Sequence, residues 1–367
     1  MSNGWANSRL WLGARTLYDE TVDFRFSYPL MLIPDAGQKN SLHYYIFKYA
    51  PKPPKRTVMR FDAKGIVQIW SRITGPVYRP ASIAAHALHN LEKYLLFKDP
   101  AHLEIFLSHV SWLEEHAVTR QDGAVVWSHD FTYREGPVHL ESPWISANAQ
   151  GLVISALVRA WRLTRNRHTF RLLERSTRIF ELDHMQDGVR IRAEGHTLYA
   201  EIPGLPAPGI MDGFMRSLLG LYDLYEETGE SSIKTLFWEG IGGLRHFLPQ
   251  WDYRNKWSVY SNRRYLCAPS YHCLNRMLLS VLANLTGDDI LAKYARAWDP
   301  VNLGAIDRSE IYLAFLWTKN ACRLRHRSWR KPQVRSHPAS LPSHFEGAPA
   351  EVLKLSGNLS NTTIRFG

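Results

Sequence analysis

The sequence predicts a mainly α protein: an α/α toroid, an incomplete barrel of about four helical pairs with β-hairpin insertions, preceded by a small β-rich N-terminal segment. Three observations lead there. Helical pairs recur, with first members starting near residues 80, 146, 209 and 269, a spacing of 66, 63 and 60 residues. The two members of each pair differ in patterning. The segments between pairs read as β-hairpins. Inner and outer helices at a fixed period, with hairpins at one end, are the signature of a toroid.

Taken in order, residues 24–31, 42–49 and 57–73 are rich in β-formers, with a turn at 62–65 and breaks at Pro51, Pro53 and Pro54. They set a β-rich region at 1–75. First-member helices are expected at 80–97, 146–165, 209–228 and 269–286, and second members at 101–117, 168–182, 232–248 and 288–298. Residues 151–163 and 214–225 are apolar on nearly every face, which marks inner helices. The 232–248 segment instead carries one stripe (Ile233, Phe237, Ile241, Leu244 and Leu248), which marks an outer helix. Hairpins are expected at 122–131, 188–202 and 251–265. A last helix at 306–322 ends a 76–322 helical domain, and the basic segment 323–367 reads as a disordered tail.

The formal charge of +11 suits a polyanionic partner: nucleic acid, an anionic membrane or an acidic polysaccharide. Six of those charges sit beyond residue 322, so the body is only mildly basic. Three cysteines without a C-x-x-C spacing argue against both a disulfide scaffold and a zinc ribbon. No signal peptide or run of about 18 apolar residues is visible, which sets a cytoplasmic expectation. P-loop, dinucleotide-binding, H-E-x-x-H and nucleophile-elbow motifs are absent. His86, His89 and Glu92 share a helical face but lack a further ligand, so no metal is expected.

Three segments carry chemistry: Tyr199-Ala200-Glu201-Ile202-Pro203 leading into Gly209-Ile210-Met211-Asp212-Gly213, then Tyr260-Ser261-Asn262-Arg263-Arg264, then Pro269-Ser270-Tyr271-His272. Singly, each has a local reading: Glu201 caps a helix, Tyr260 covers core, Arg263 is solvated. Together with residues 143–164, which include Trp144 and Gln150, and with Tyr78-Arg79-Pro80, they resemble the C-terminal helical domain of D-glucuronyl C5-epimerases over about residues 76–300.

The resemblance implies an isomerase converting glucuronate to iduronate within heparosan-type polymers. Its partner would be an uronate-containing anionic polysaccharide, not nucleic acid, with no cofactor and a homodimeric assembly. Residue by residue, Glu201 matches the catalytic glutamate, Tyr271 the tyrosine of the last inner helix, and Tyr260 and Arg263 a further tyrosine and arginine of the site. Tyr199, Trp144, Gln150, Asp212, His272 and Tyr78 are expected to line the substrate. Two positions depart from the family pattern: Ile202 replaces a tyrosine and Asp212 an asparagine.

Inversion at C5 removes a proton α to a carboxylate and returns one from the opposite face, so two acid–base groups and one cation are needed. Arg263 is the expected carboxylate clamp, and Arg263 and Arg264 the charges that would favour a phenolate at Tyr260 or Tyr271. Two other readings remain open. A polysaccharide lyase removes the same proton and then expels the C4 substituent, and a non-catalytic glycan- or nucleic-acid-binding protein would rely on the basic tail.

Overall fold

A computed structural model describes residues 24, 26, 28–49, 59–71, 74–135 and 138–327. Pro51, Pro53, Pro54 and residues 328–367 of the expected tail lie outside the described residues. Among the described residues the protein is mainly helical, with nine α-helices and small antiparallel sheets. No helix among them is long and apolar enough to cross a membrane.

The helices are α1 (Pro80–Phe97), α2 (Pro100–Glu115), α3 (Ala147–Thr164), α4 (Arg167–Glu174), α5 (Met211–Thr228), α6 (Ser231–Phe247), α7 (Pro269–Thr286), α8 (Asp289–Ala297) and α9 (Ala305–Arg327). The four first members, α1, α3, α5 and α7, are each 18 residues long. Each is closed by a residue in the left-handed region: Lys98, Arg165, Gly229 and Gly287. Such a residue ends the helix by turning the backbone out of register. The next helix begins within three residues, so each pair is a tight antiparallel hairpin. α1 packs on α3, α3 on α5 and α5 on α7, while each packs on its own following helix.

Burial follows the patterning. α3 is buried without a break from Ala147 to Ala160, whereas α4 buries only Thr169, Leu172 and Leu173. The α3–α5 crossing is closer than side chains allow. Gly220 lies against the backbone of Gly151, and Gly151 against that of Arg216 and Ser217, so neither glycine has room for a Cβ.

The strands are short. β1 (Leu30–Leu32) pairs with β2 (Ile46–Lys48), touching α7 on one side and α1 on the other. β3 (Met59–Phe61), β4 (Val67–Ser71) and β5 (Gly75–Val77) form one meander. Where one hairpin was expected at 122–131 there are two: β6 (Val118–Thr119) with β7 (Val125–Val126), and β8 (Tyr133–Glu135) with β9 (Val138–Leu140). Trp127 causes the division. Its ring is buried and its indole N–H donates to Leu113 O at 2.6 Å, which pulls the chain under α2 and out of the ladder. β10 (Arg190–Ala193) with β11 (His196–Tyr199), and β12 (Asp252–Tyr253) with β13 (Trp257–Ser258), fall within the expected spans. The outer helix expected to reach residue 182 stops at Glu174, and a 3-10 turn at Arg178–Phe180 follows.

Candidate active site

The first turns of α3, α5 and α7 meet at one end of the bundle, and the β11–α5 connection crosses them. Ala147 N donates to Ala200 O at 2.9 Å, which fixes the residue before Glu201 to the start of α3. Asn148 Nδ2 then donates to Glu201 Oε1 at 3.2 Å. On the other side the Glu201 side chain lies directly over Gly213 in the first turn of α5, where a Cβ would fit only if Glu201 shifted. Glu201 is thus half-buried between two helix N-termini, where the helix dipole favours negative charge.

Asp212 is buried in the same turn of α5. Burial raises its pKa, and Arg216, one turn on, opposes the rise. Tyr260 stacks on Tyr265 with ring centroids 5.1 Å apart and meets Tyr271 edge-on at 5.3 Å. It also packs with Tyr133 against Val138, Ile202 and Ile210. The loop carrying it is tied down by Asn262, whose N–H and side-chain amide donate to Pro208 O and Ala207 O at 3.0 and 2.7 Å.

Both phenols are pushed above their ordinary value, first by burial and then by the Asp212 and Glu201 carboxylates. Tyr271 is 42% exposed, so solvent weakens both the burial and the carboxylate contributions there. The neighbouring carboxylates act against the phenolate expected at either tyrosine. Arg264 is exposed in the left-handed region, and Arg263 is half-buried with its N–H donating to Ser261 Oγ at 3.3 Å.

Of the other expected site residues, Tyr199, Gln150 and His272 are buried, Tyr78 bonds to the β3–β4 turn, and Trp144 stands beside Tyr133 with ring centroids 5.6 Å apart. Tyr199 is buried; its hydroxyl donates to Leu236 O at 2.7 Å and its ring meets Phe180 edge-on, so it anchors the hairpin in the core. Gln150 is buried and donates to Val125 O and Ser176 O at 2.8 and 2.7 Å. His272 is buried and stacked on Trp257. Its Nδ1 accepts from Ser258 N at 3.0 Å while Nε2 faces Trp298 O at 2.9 Å, and burial holds its pKa down to about 3. Tyr78 donates to Asp62 Oδ2 at 2.6 Å in the β3–β4 turn. Trp144 is half-buried, stacked on His129 at 4.0 Å and donating to Phe131 O.

A groove of about 990 Å³ opens beside Tyr271, between α1, α7 and the β1–β2 hairpin. Arg216 and Tyr44 line it. These two, with Asn148 and Gly213, are what sequence reasoning missed. Arg216 did carry a signal: it is a lone cation inside the apolar run of α5, four residues from Asp212. Among the described residues no cluster of three or more His, Cys, Asp or Glu is arranged to hold a metal. Glu92 accepts instead from Tyr44 N at 3.1 Å and lies 2.8 Å from His43 Nδ1, and His89 stacks on Phe47.

Residues 121–300, which contain Glu201, Asp212, Tyr260 and Tyr271, match the family model described as D-glucuronyl C5-epimerase C-terminus. The D-glucuronyl C5-epimerase of Caenorhabditis elegans is 28% identical over 216 residues, covering 54% of this chain and 35% of the worm protein. The chain thus spans about a third of that relative. An uncharacterized protein of Methanocaldococcus jannaschii is 25% identical over 248 residues, covering 63% of this chain and 79% of the archaeal one. The segment that builds the site, residues 121–300, belongs to the D-glucuronyl C5-epimerase C-terminal family.

Proposed function

We propose that the protein is a C5-epimerase acting on glucuronate residues within an anionic, heparosan-type polysaccharide and yielding iduronate. The observation that carries this reading is that Glu201, Asp212, Tyr260 and Tyr271 lie close enough to act on one another electrostatically, with Tyr271 lining the groove. Glu201 accepts the C5 proton, the electron pair moves into the substrate carboxylate as an enediolate, and Tyr271 returns a proton to C5 from the opposite face. Nothing is oxidised or reduced, and the reverse reaction exchanges the two roles. A phenol kept protonated by neighbouring carboxylates suits the donor role, and a carboxylate between two helix N-termini suits the acceptor role. The added negative charge of the enediolate requires a guanidinium at the substrate carboxylate.

Ile202 packs in a small apolar cluster with Val138 and Ile210, so this site runs with one phenol fewer than the family pattern. The succession α1–α3–α5–α7, with second helices outside, supports an α/α toroid left open where the β1–β2 hairpin stands between α7 and α1. On this reading residues 76–322 are the catalytic domain, 1–75 the β-rich lead-in and 323–367 a dispensable tail, and the protein works as a cytoplasmic homodimer.

Incubation with unsulfated glucuronate polymers in deuterated water, followed by proton NMR, tests the reaction. Deuterium is expected at C5 without chain cleavage, and Glu201→Gln and Tyr271→Phe should each slow it by about 100- to 10,000-fold. Cleavage to an unsaturated end identifies a lyase instead. Full exchange in both variants overturns the assignment of the acid–base pair.

A further inference from the structure

The inner end of the groove holds two polar groups that the Glu201 cluster does not use. Arg216 leaves α5 one turn beyond Asp212 and is half-buried. Its guanidinium forms no ion pair or hydrogen bond among the described residues. Tyr44 reaches the same place from the segment before β2, and its buried hydroxyl has no hydrogen-bond partner among them. The ring itself is held firmly: Arg159 lies over one face at 5.1 Å and the backbone N–H donates to Glu92 Oε2. Arg216 is close enough to act electrostatically on Tyr44, Asp212 and Tyr271 alike.

An orphaned buried hydroxyl is costly, and with a half-buried guanidinium lining the same cavity it forms a cradle for an acceptor that arrives from outside. The rest of the groove indicates what arrives. Its walls are mainly apolar and aromatic, with Phe47 and Leu152 deep inside and Tyr49 and Phe97 exposed toward the rim, surfaces that suit sugar faces. Lys48 and Lys93 line the outer part, in keeping with a ligand that carries repeated negative charge.

We propose that Arg216, assisted by the Tyr44 hydroxyl, binds the carboxylate of the reacting uronate at the inner end of this groove, the role that the sequence pattern assigned to Arg263. The assignment rests on the epimerase reading. With the carboxylate held there, the reacting carbon lies beside Tyr271, which lines the same groove, and the enediolate charge develops next to the Arg216 guanidinium. The flanking sugars lie along α1 between Phe47 and Phe97. Asp212 keeps Arg216 within reach of the site without closing on it as an ion pair.

The test uses the full chain with an unsulfated glucuronate–N-acetylglucosamine tetrasaccharide and its carboxyl-reduced, neutral counterpart. Binding is read by calorimetry and C5 exchange by NMR. The unaltered protein should prefer the acidic form, and Arg216→Gln should lose about 10- to 100-fold of that preference while raising KM and lowering kcat. Arg216→Lys should restore part of it, Tyr44→Phe should lose several-fold, and Arg263→Gln should keep it. If Arg216→Gln and Tyr44→Phe both keep the preference and the exchange rate, or if Arg263→Gln alone abolishes them, the inference is wrong while the epimerase reading stands. Arg216-dependent preference for the acid in a protein that exchanges no C5 proton means the reverse: the binding site holds and the reaction does not.

Discussion

The two ends of the α3–α5 pair carry similar residues in opposite states. Toward the C-terminal end, Arg159 and Asp223 are both buried and fully satisfied. Arg159 donates from Nη1 to Asp223 Oδ2 at 2.7 Å and Ser155 O at 2.9 Å, from Nη2 to Asp223 Oδ1 at 3.3 Å and His43 O at 2.8 Å, and from Nε to His43 O at 3.1 Å. All five guanidinium protons are used. Tyr45 completes the site, its hydroxyl donating to Asp223 Oδ1 at 2.7 Å. Toward the N-terminal end, about 16 Å away along α5, Asp212 and Arg216 form no ion pair with each other and Tyr44 keeps an unused hydroxyl. The chemistry is the same, an acid, a cation and a phenol. One set is closed on itself and holds the helices together, while the other is left open for a ligand.

The largest expected effect separates these two sets directly. Asp223→Ala strands a buried guanidinium and should cost about 3–5 kcal/mol in denaturant unfolding. Arg216→Gln should leave the unfolding midpoint nearly unchanged. Equal losses in the two variants would erase the distinction.

A second test acts on geometry without altering charge. Gly213→Ala adds a methyl where the Glu201 carboxylate now lies, so the carboxylate must move. A displacement of about 1 Å at a reacting group costs on the order of 100-fold in rate. C5 exchange should fall by about that much while far-UV circular dichroism and thermal unfolding stay close to those of the parent. An unaltered exchange rate would mean that Glu201 does not need its present place.

The smallest effect concerns acid stability. Burial holds His86 and His89 down to about 4 and His129 and His272 down to about 3, against about 6.5 in an unfolded chain. The unfolded state therefore takes up protons first. Stability contributed by these neutral rings is complete above pH 6.5, declines as pH falls below it, and stops declining near pH 3–4. His86→Gln combined with His89→Gln should flatten that slope in unfolding measured between pH 7 and 4. A slope as steep as the parent's would show that carboxylates alone set the acid limit.

Much of the helical frame was legible because its punctuation is chemical. Ser146, Asn166 and Asp288 cap helices, and Gly229 and Gly287 end them. Lys98 and Arg165 end helices in the same left-handed conformation, yet nothing in a lysine or arginine announces it. At the site, the motifs named Glu201, Asp212, Tyr260 and Tyr271, which act on one another electrostatically, but side-chain direction was less readable. Tyr199 was expected to line the substrate, but as the last residue of β11 it turns its ring into the core. His272 follows Tyr271, but helix neighbours diverge by about 100°, which sends one ring to the groove and the other to the core. Arg216 escaped notice because its meaning depends on Tyr44, 172 positions earlier in the chain, and no local pattern joins the two.

The glycine contact between α3 and α5 has a consequence for how this site can evolve. With Gly151 and Gly220 backbone to backbone, the bore of the opening is set by hydrogen atoms instead of side chains. Asn148 and Arg216 are carried on the same two helices, so any methyl added at the crossing spreads these two side chains apart. This crossing therefore tolerates little variation, whereas side chains on the hairpins and at the rim around α1 can change without moving the frame.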